Sequence, residues 1–177
     1  MDATRLENFS PRRAKFNSPG VIGGIASLVP REEKNKVPST PPATLTGRCM
    51  CGSASYKISA PPVAVGLCHC NRCRPQSGSA FSTVMFVQRD ALKISGETAV
   101  FDDVGSSGSR VLRRYCPHCG SPLTTESDFT PTLFFVKAGG LDQTDWLRPT
   151  FEMFVNRRMP WVRALPDAAQ FDGNPTL

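Results

Sequence analysis

Seven cysteines stand in a chain of 177 residues, and they fall into three short groups. Cys49 and Cys51 form a C-x-C pair in "GRCMCGS". Cys68, Cys70 and Cys73 form a C-x-C-x-x-C run in "LCHCNRCRPQSG". Cys116 and Cys119 form a C-x-x-C pair in "YCPHCGSPL". Thiols this closely spaced serve as disulfides, as closed structural metal sites, or as open sites that do chemistry. An odd number cannot be used up by disulfides alone, and a start carrying Asp2 and Glu7 reads neither as a secretory nor as a mitochondrial leader. A redox dithiol would be expected within a βαβ pattern, and none is visible. Metal ligation or catalysis is the better reading.

A structural zinc takes four ligands, and a C-x-x-C loop presents two thiolates to one ion across a turn. Cys116 and Cys119 have that spacing, with Gly120 just after them, and they need two more donors. Cys49 and Cys51 can supply these, giving a closed site that clasps the start of the domain to a distant hairpin. Cys68, Cys70 and Cys73 are then left as three local thiolates without a fourth cysteine, the ligand set of an open site whose vacant corner takes water or a substrate thiolate. The alternative is a second closed site completed by His69, His118 or an acid. His69 stands between two ligands, where a side chain usually points away, and His118 lies inside the loop of the other pair. Three thiolates on a divalent ion leave a net charge of about −1, weak for activating water but suited to a soft incoming sulfur, whose pKa the metal lowers. That chemistry points to a thiol substrate and to carbon–sulfur bond making or breaking.

The formal charge of +6 divides evenly along the chain. Residues 1–40 hold seven Lys/Arg against four Asp/Glu, and residues 41–177 hold fourteen against eleven, so each part is net +3. Seven thiolates on two divalent ions would remove about three charges from the second part and bring it close to neutral. Nucleic acid is therefore not an expected partner, and basic pairs such as Arg113-Arg114 and Arg157-Arg158 read as solvated faces. The longest apolar run, Val21–Val29, has nine residues, against about 20 for a membrane span. No membrane partner is expected, and an intracellular, cytoplasmic location is.

The elements that must hold these thiols are short. Residues 1–43 are rich in proline and include the charged run "REEKNK". They read as a disordered or loosely packed extension, in which Val21–Val29 is the one stretch suited to packing as a strand or lid. Residues 44–177 read as the domain. β-rich runs recur there between Gly, Pro, Ser and Asp, at 44–49, 53–58, 63–67, 81–87, 92–94, 99–103, 110–115, 133–136 and 151–155. "CRPQSG" reads as one helical turn, and no amphipathic helix of useful length is visible. The expected fold is mainly β, with loops carrying the thiols.

The segments "GRCMCGSASYKISAPP", "CHCNRCRPQSGSAF", "YCPHCGSPL", "KAGGLD" and "RRMPW" come in the order and spacing of the glutathione-dependent formaldehyde-activating enzymes. The chain resembles that family, which includes the centromere protein V-like proteins, over roughly Leu45 to Gly173. The resemblance implies an Mss4-like β-tent of antiparallel sheets. It also implies a structural zinc on Cys49, Cys51, Cys116 and Cys119, and a second, labile zinc on Cys68, Cys70 and Cys73. The activity it implies is the joining of formaldehyde and glutathione into S-(hydroxymethyl)glutathione, a carbon–sulfur lyase class.

Two departures from the family stand close to the thiols. Pro75 replaces a residue that is basic in many members, and Glu152 replaces a histidine nine positions before Trp161. A Glu152 facing the open site would serve as acid/base or complete its coordination. Arg72 and Arg74 flank Cys73 and would pair with a substrate carboxylate or neutralise the thiolates. Ser77 and Gly78 follow in a turn that permits close ligand approach, and Trp161 is expected in the core or a pocket wall. The competing functions are a zinc scaffold that binds protein or nucleic acid, and an isomerase or cyclase acting on a specialised metabolite.

Overall fold

The computed structural model describes residues 40–175. The expectation for residues 1–43, including the Val21–Val29 strand or lid, lies outside the described residues except for positions 40–43. All nine expected strands form, together with two more. β1 (Leu45–Arg48), β2 (Ala54–Ile58) and β5 (Leu92–Gly96) make a small antiparallel sheet in the order β1-β2-β5. The larger sheet contains β3 (Ala64–Cys68), β4 (Ser82–Gln88), β6 (Ala99–Val104), β7 (Arg110–Tyr115), β8 (Pro122–Ser127), β9 (Leu133–Lys137), β10 (Phe151–Met153) and β11 (Ala169–Phe171). Its order is β11-β10-β3-β4-β9-β8-β7-β6. The longest α-helix among the described residues is α1, Cys73–Ser77.

Alternation explains most of these strands. β1 and β2 bury every second residue, placing Leu45, Tyr56 and Ile58 inward. β4 and β9 lie at the centre of the large sheet and are buried on both faces, so they read as continuous apolar runs. One core draws on both sheets: Leu45, Tyr56 and Ile58 from the small sheet meet Met85, Val87, Leu123 and Val136 from the large one. A second apolar cluster packs Val84, Phe86, Phe151, Met153 and Phe154 around Cys68 and Cys70.

The fold is mainly β, in keeping with the β-tent expectation, with one difference. The large sheet is mixed, because β10 runs parallel to both of its neighbours, β3 and β11. β10 arrives from a long excursion after β9, and Thr150 just before it ties its start to both neighbours, donating its N–H to the Val65 carbonyl of β3 and accepting from the Ala169 N–H of β11. Trp161, expected inside, is 72% exposed, because the chain after β10 runs over the surface before returning at β11.

Met85 is fully buried at the centre of the large sheet, whereas Phe101 stands 58% exposed on its edge strand. Met85→Ala is expected to cost about 2–5 kcal/mol through the cavity it opens. Phe101→Ala is expected to stay within about 0.5 kcal/mol of the parent. Urea denaturation midpoints of the two variants check both values.

Candidate metal centres and the cavity beside them

The first cluster joins two hairpin turns from different sheets. Cys49 and Cys51 lie in the β1–β2 turn, and Cys116 and Cys119 in the β7–β8 turn. The four sulfurs all fall within 4.8 Å of one another. Cys49 to Cys51 is 3.5 Å and Cys51 to Cys116 is 3.7 Å. Tetrahedral zinc with Zn–S bonds of about 2.3 Å spaces its sulfurs about 3.8 Å apart, so this set fits such an ion.

The two turns repeat one local design. Each second cysteine is followed by a glycine in the left-handed region, Gly52 at φ 81° and Gly120 at φ 73°, which a side chain would resist. In each, a backbone bond closes the loop, Cys49 N–H to Ala54 and Cys116 N–H to Ser121. Each glycine is followed by a serine, and the Ser53 and Ser121 hydroxyls lie against the Cys51 and Cys119 sulfurs. The Ser121 hydroxyl, with backbone N–H groups, holds the Cys119 thiol down at about 5, in its thiolate form at neutral pH. The signal for both serines was present in the sequence as a twice-repeated "CGS".

The second cluster lies at the end of β3. Cys68 is the last residue of that strand, Cys73 opens α1, and Cys70 sits between them. Their sulfurs also lie within 4.8 Å of one another, and among the described residues no other Cys, His, Asp or Glu joins the group. The Cys73 amide donates to the Cys70 sulfur at 3.2 Å. Cys70 is held low by hydrogen bonds with Cys68 and Cys73, helped by the Ser106 hydroxyl, and Cys68 is driven high by Cys70 and Cys73. The donor set therefore suits a soft metal ion with a position left over.

These thiols open on a cavity of about 90 Å³. Its lining also contains Lys137, which the sequence reading did not single out, and Arg113, which was read with Arg114 as a solvated face but is only 6% exposed because Asp103 and Gln76 pair with it. Lys137 ends strand β9 and is only 5% exposed, with Nζ 3.4 Å from the Ser82 hydroxyl. Burial pushes its pKa down, while the Cys73 sulfur acts in the opposite direction. Among the described residues no carboxylate pairs with it. Arg113 donates to Asp103 at 2.8 Å and to Gln76 at 3.0 Å, so it tethers α1 to the large sheet. A lysine closing the apolar run "LFFVK" was the available clue to Lys137; nothing local marks Arg113.

Glu152 takes a different place from the one expected. Its neighbour Met153 lines the cavity, and strand alternation turns Glu152 to the other side. There its carboxylate is fully buried, accepting from His69 Nε2 at 2.6 Å, the Leu165 amide at 2.6 Å and the Gln170 amide group at 3.2 Å, with Arg158 at 3.1 Å. His69 thus points away from the thiols, as its position between two ligands suggested, while His118 is a surface residue facing Glu97. Arg72 pairs with Asp103 at 3.5 Å and lines a separate groove; Arg74 bonds Asn71. Ser77 caps back onto Arg74 and Phe81, and Gly78 is the left-handed C-cap of α1. Pro75 sits in the first turn of α1, where no amide donor is needed. None of Arg72, Arg74, Ser77 and Gly78 lines the cavity.

A β fold carrying one four-sulfur and one three-sulfur cluster defines the class of protein. The profile of the family described as "Glutathione-dependent formaldehyde-activating enzyme" matches residues 44–157, and the chain belongs to that family. It is 29% identical over 127 residues to a Podospora anserina protein named "Putative glutathione-dependent formaldehyde-activating enzyme", covering 67% of this chain and 56% of that protein. It is 30% identical over 115 residues to a Penicillium rubens protein of the same name, covering 62% of this chain and 59% of that protein. The chain thus spans somewhat under three fifths of the length of these relatives. A solved Rhodobacter sphaeroides structure is similar at 15% identity and a TM-score of 0.45, over 55% of this chain and 87% of that one. No helix among the described residues is long and apolar enough to cross a membrane.

The Glu152 network should be visible in acid. Its four donors outweigh burial and hold the carboxyl below its ordinary value. The stability it contributes is present above the unfolded value of about 4.3 and is lost as pH falls through the lower folded value. Glu152→Gln, which leaves Arg158 and His69 without their anion, is expected to destabilise by about 3 kcal/mol at neutral pH. The gap between variant and parent should narrow below about pH 4. Denaturation midpoints across pH 3–7 test this; a constant gap would contradict it.

Proposed function

We propose that the chain is a zinc enzyme that makes or breaks a carbon–sulfur bond in a thiol adduct. In this reading Cys68, Cys70 and Cys73 hold the reactive ion, and Cys49, Cys51, Cys116 and Cys119 hold a structural one. The observation that carries the proposal is the contrast between the clusters. One has four sulfurs and is complete; the other has three, gains no further Cys, His, Asp or Glu donor among the described residues, and faces a cavity. The names of the relatives make formaldehyde and glutathione the first substrates to assay, with S-(hydroxymethyl)glutathione as product.

Zinc on three thiolates would supply a soft corner that holds a further sulfur as thiolate. The remaining roles fall to the chain. Lys137 supplies positive charge at the base of the cavity, where the thiolates and the developing oxygen anion are negative. Arg113 keeps α1, and with it Cys73, in register through Gln76. Glu152 and His69 fix the backbone between Cys68 and Cys70 from behind and act as positioning residues. The thiol proton must end on the carbonyl oxygen, and Lys137 is the cavity's own group able to pass it.

Cys70→Ala is expected to leave a folded protein with about one zinc per chain and no formaldehyde–glutathione exchange by NMR. Cys116→Ala is expected to lose the fold by circular dichroism, because a structural site contributes its binding energy to folding. Equal loss of fold in both variants would refute the division into a structural and a reactive site. Lys137→Met is expected to slow exchange at least 10-fold while both zincs remain bound.

A further inference from the structure

The walls of the cavity at Cys68, Cys70 and Cys73 are unlike a site for a small, polar electrophile. Hydroxyl residues such as Ser106, Ser107 and Thr125 contribute to them, but most of the surface they present is apolar, from Val84, Phe86, Phe135, Met153 and Phe154, with Phe129 at the exposed rim. Phe86 and Phe135 stack edge to face with ring centres 4.8 Å apart. Cys68 and Cys70 pack directly into this apolar cluster. Phe154 is held at φ 57° and ψ 43°, a left-handed conformation that costs a bulky residue about 1–3 kcal/mol and persists where surroundings over-determine it. Of the two cations at the base, Arg113 is already engaged by Asp103 and Gln76. The arginines and turn residues suited to a peptide's carboxylates line other surfaces.

The size agrees with the composition. A water needs roughly 10–15 Å³ by the same kind of measure, and the cavity offers about 90 Å³. That space matches a ring or a branched chain. A one-carbon carbonyl compound would leave most of it unused and gain little from apolar walls, since the gain scales with apolar area removed from water.

We infer that the site selects adducts whose sulfur-linked carbon carries an apolar, uncharged body, aromatic or branched aliphatic, so that the carbonyl compound it favours is a hydrophobic aldehyde rather than formaldehyde. This rests on the sulfur chemistry proposed above. The step is an addition without oxidation or reduction: the S–C bond forms, the carbonyl π bond breaks, and the thiol proton moves to the oxygen. The tripeptide or other thiol body then lies towards the open mouth, and the apolar body lies against Phe86 and Phe135.

The test uses the zinc-loaded full chain and two probes that share one tripeptide, S-methylglutathione and S-benzylglutathione, titrated calorimetrically. S-benzylglutathione is expected to bind at least 10-fold more tightly. Phe135→Ser is expected to cut that preference below about threefold, and Phe129→Ser, at a rim position that is 53% exposed and safe for folding, to reduce it measurably. In parallel, glutathione is added to the cobalt-loaded protein and the thiolate-to-metal absorption is followed. Equal binding of the two probes, with the cobalt band shifted by glutathione, would overturn the proposal and leave the sulfur chemistry intact. Failure of both probes to bind, with an unmoved band, would overturn both together.

Discussion

Four sulfurs drawn from two sheets set the frame of this molecule. The β1–β2 turn belongs to the small sheet and the β7–β8 turn to the large one, and Cys49, Cys51, Cys116 and Cys119 bring them within 4.8 Å. The residues around this clasp are also the core: Cys49 and Cys116 pack with Leu45, Tyr56, Met85 and Val136. With α1 only five residues long, no helix among the described residues covers the sheets, and the apolar area between them is held in place by strand pairing and by the clasp. A metal there would act as ligand-linked stability, adding binding energy to a modest β core.

The two cysteine clusters share a residue type and differ in what surrounds it. The four-sulfur set has two glycine-closed turns and two serine hydroxyls, each aimed at sulfur. Such groups satisfy thiolates locally and need nothing from outside. The three-sulfur set has an amide donor and the Ser106 hydroxyl at Cys70, and a buried lysine without a carboxylate partner among the described residues, in a mostly apolar setting. A lone buried ammonium is costly, as is a group of thiolates without a cation. Each offsets part of the cost of the other, so the arrangement holds charge ready to respond to what enters the cavity. The first environment favours permanence and the second favours exchange.

Much of this was readable from residue types. Alternation and β-branched runs revealed nine strands, and counting cysteines separated four from three. β8 escaped because it opens on Pro122 and continues through Thr124, Thr125 and Glu126, a polar text for a strand whose threonines are nevertheless buried. β11 escaped because its three residues are held by parallel pairing with β10, a contact that local sequence does not announce. Sheet order, the mixed character of the large sheet and the exposure of Trp161 all depend on where the chain travels after β9. The site followed the same rule. The three thiols of the second cluster lie close together in sequence and were readable there; Arg113 and Lys137 reach the cavity from strands 40 and 64 residues beyond Cys73.

Glu152 shows how a one-residue step decides a role. On β10, Met153 pairs with Cys68 and reaches the cavity, so Glu152 must face the other way. A carboxylate buried there is tolerable only with full satisfaction, and His69, Arg158, Gln170 and the Leu165 amide provide it. The consequence reaches the thiols through the backbone. His69 stands between Cys68 and Cys70, and its amide also bonds the Met153 carbonyl, so both ends of that residue are fixed to β10. A loop carrying three clustered thiols is thereby held from behind while its front faces the cavity. Apart from Lys137 and Arg113 and the three thiols, the groups lining the cavity are uncharged, so the buried carboxylate of Glu152 is kept on the far side of the strand from it.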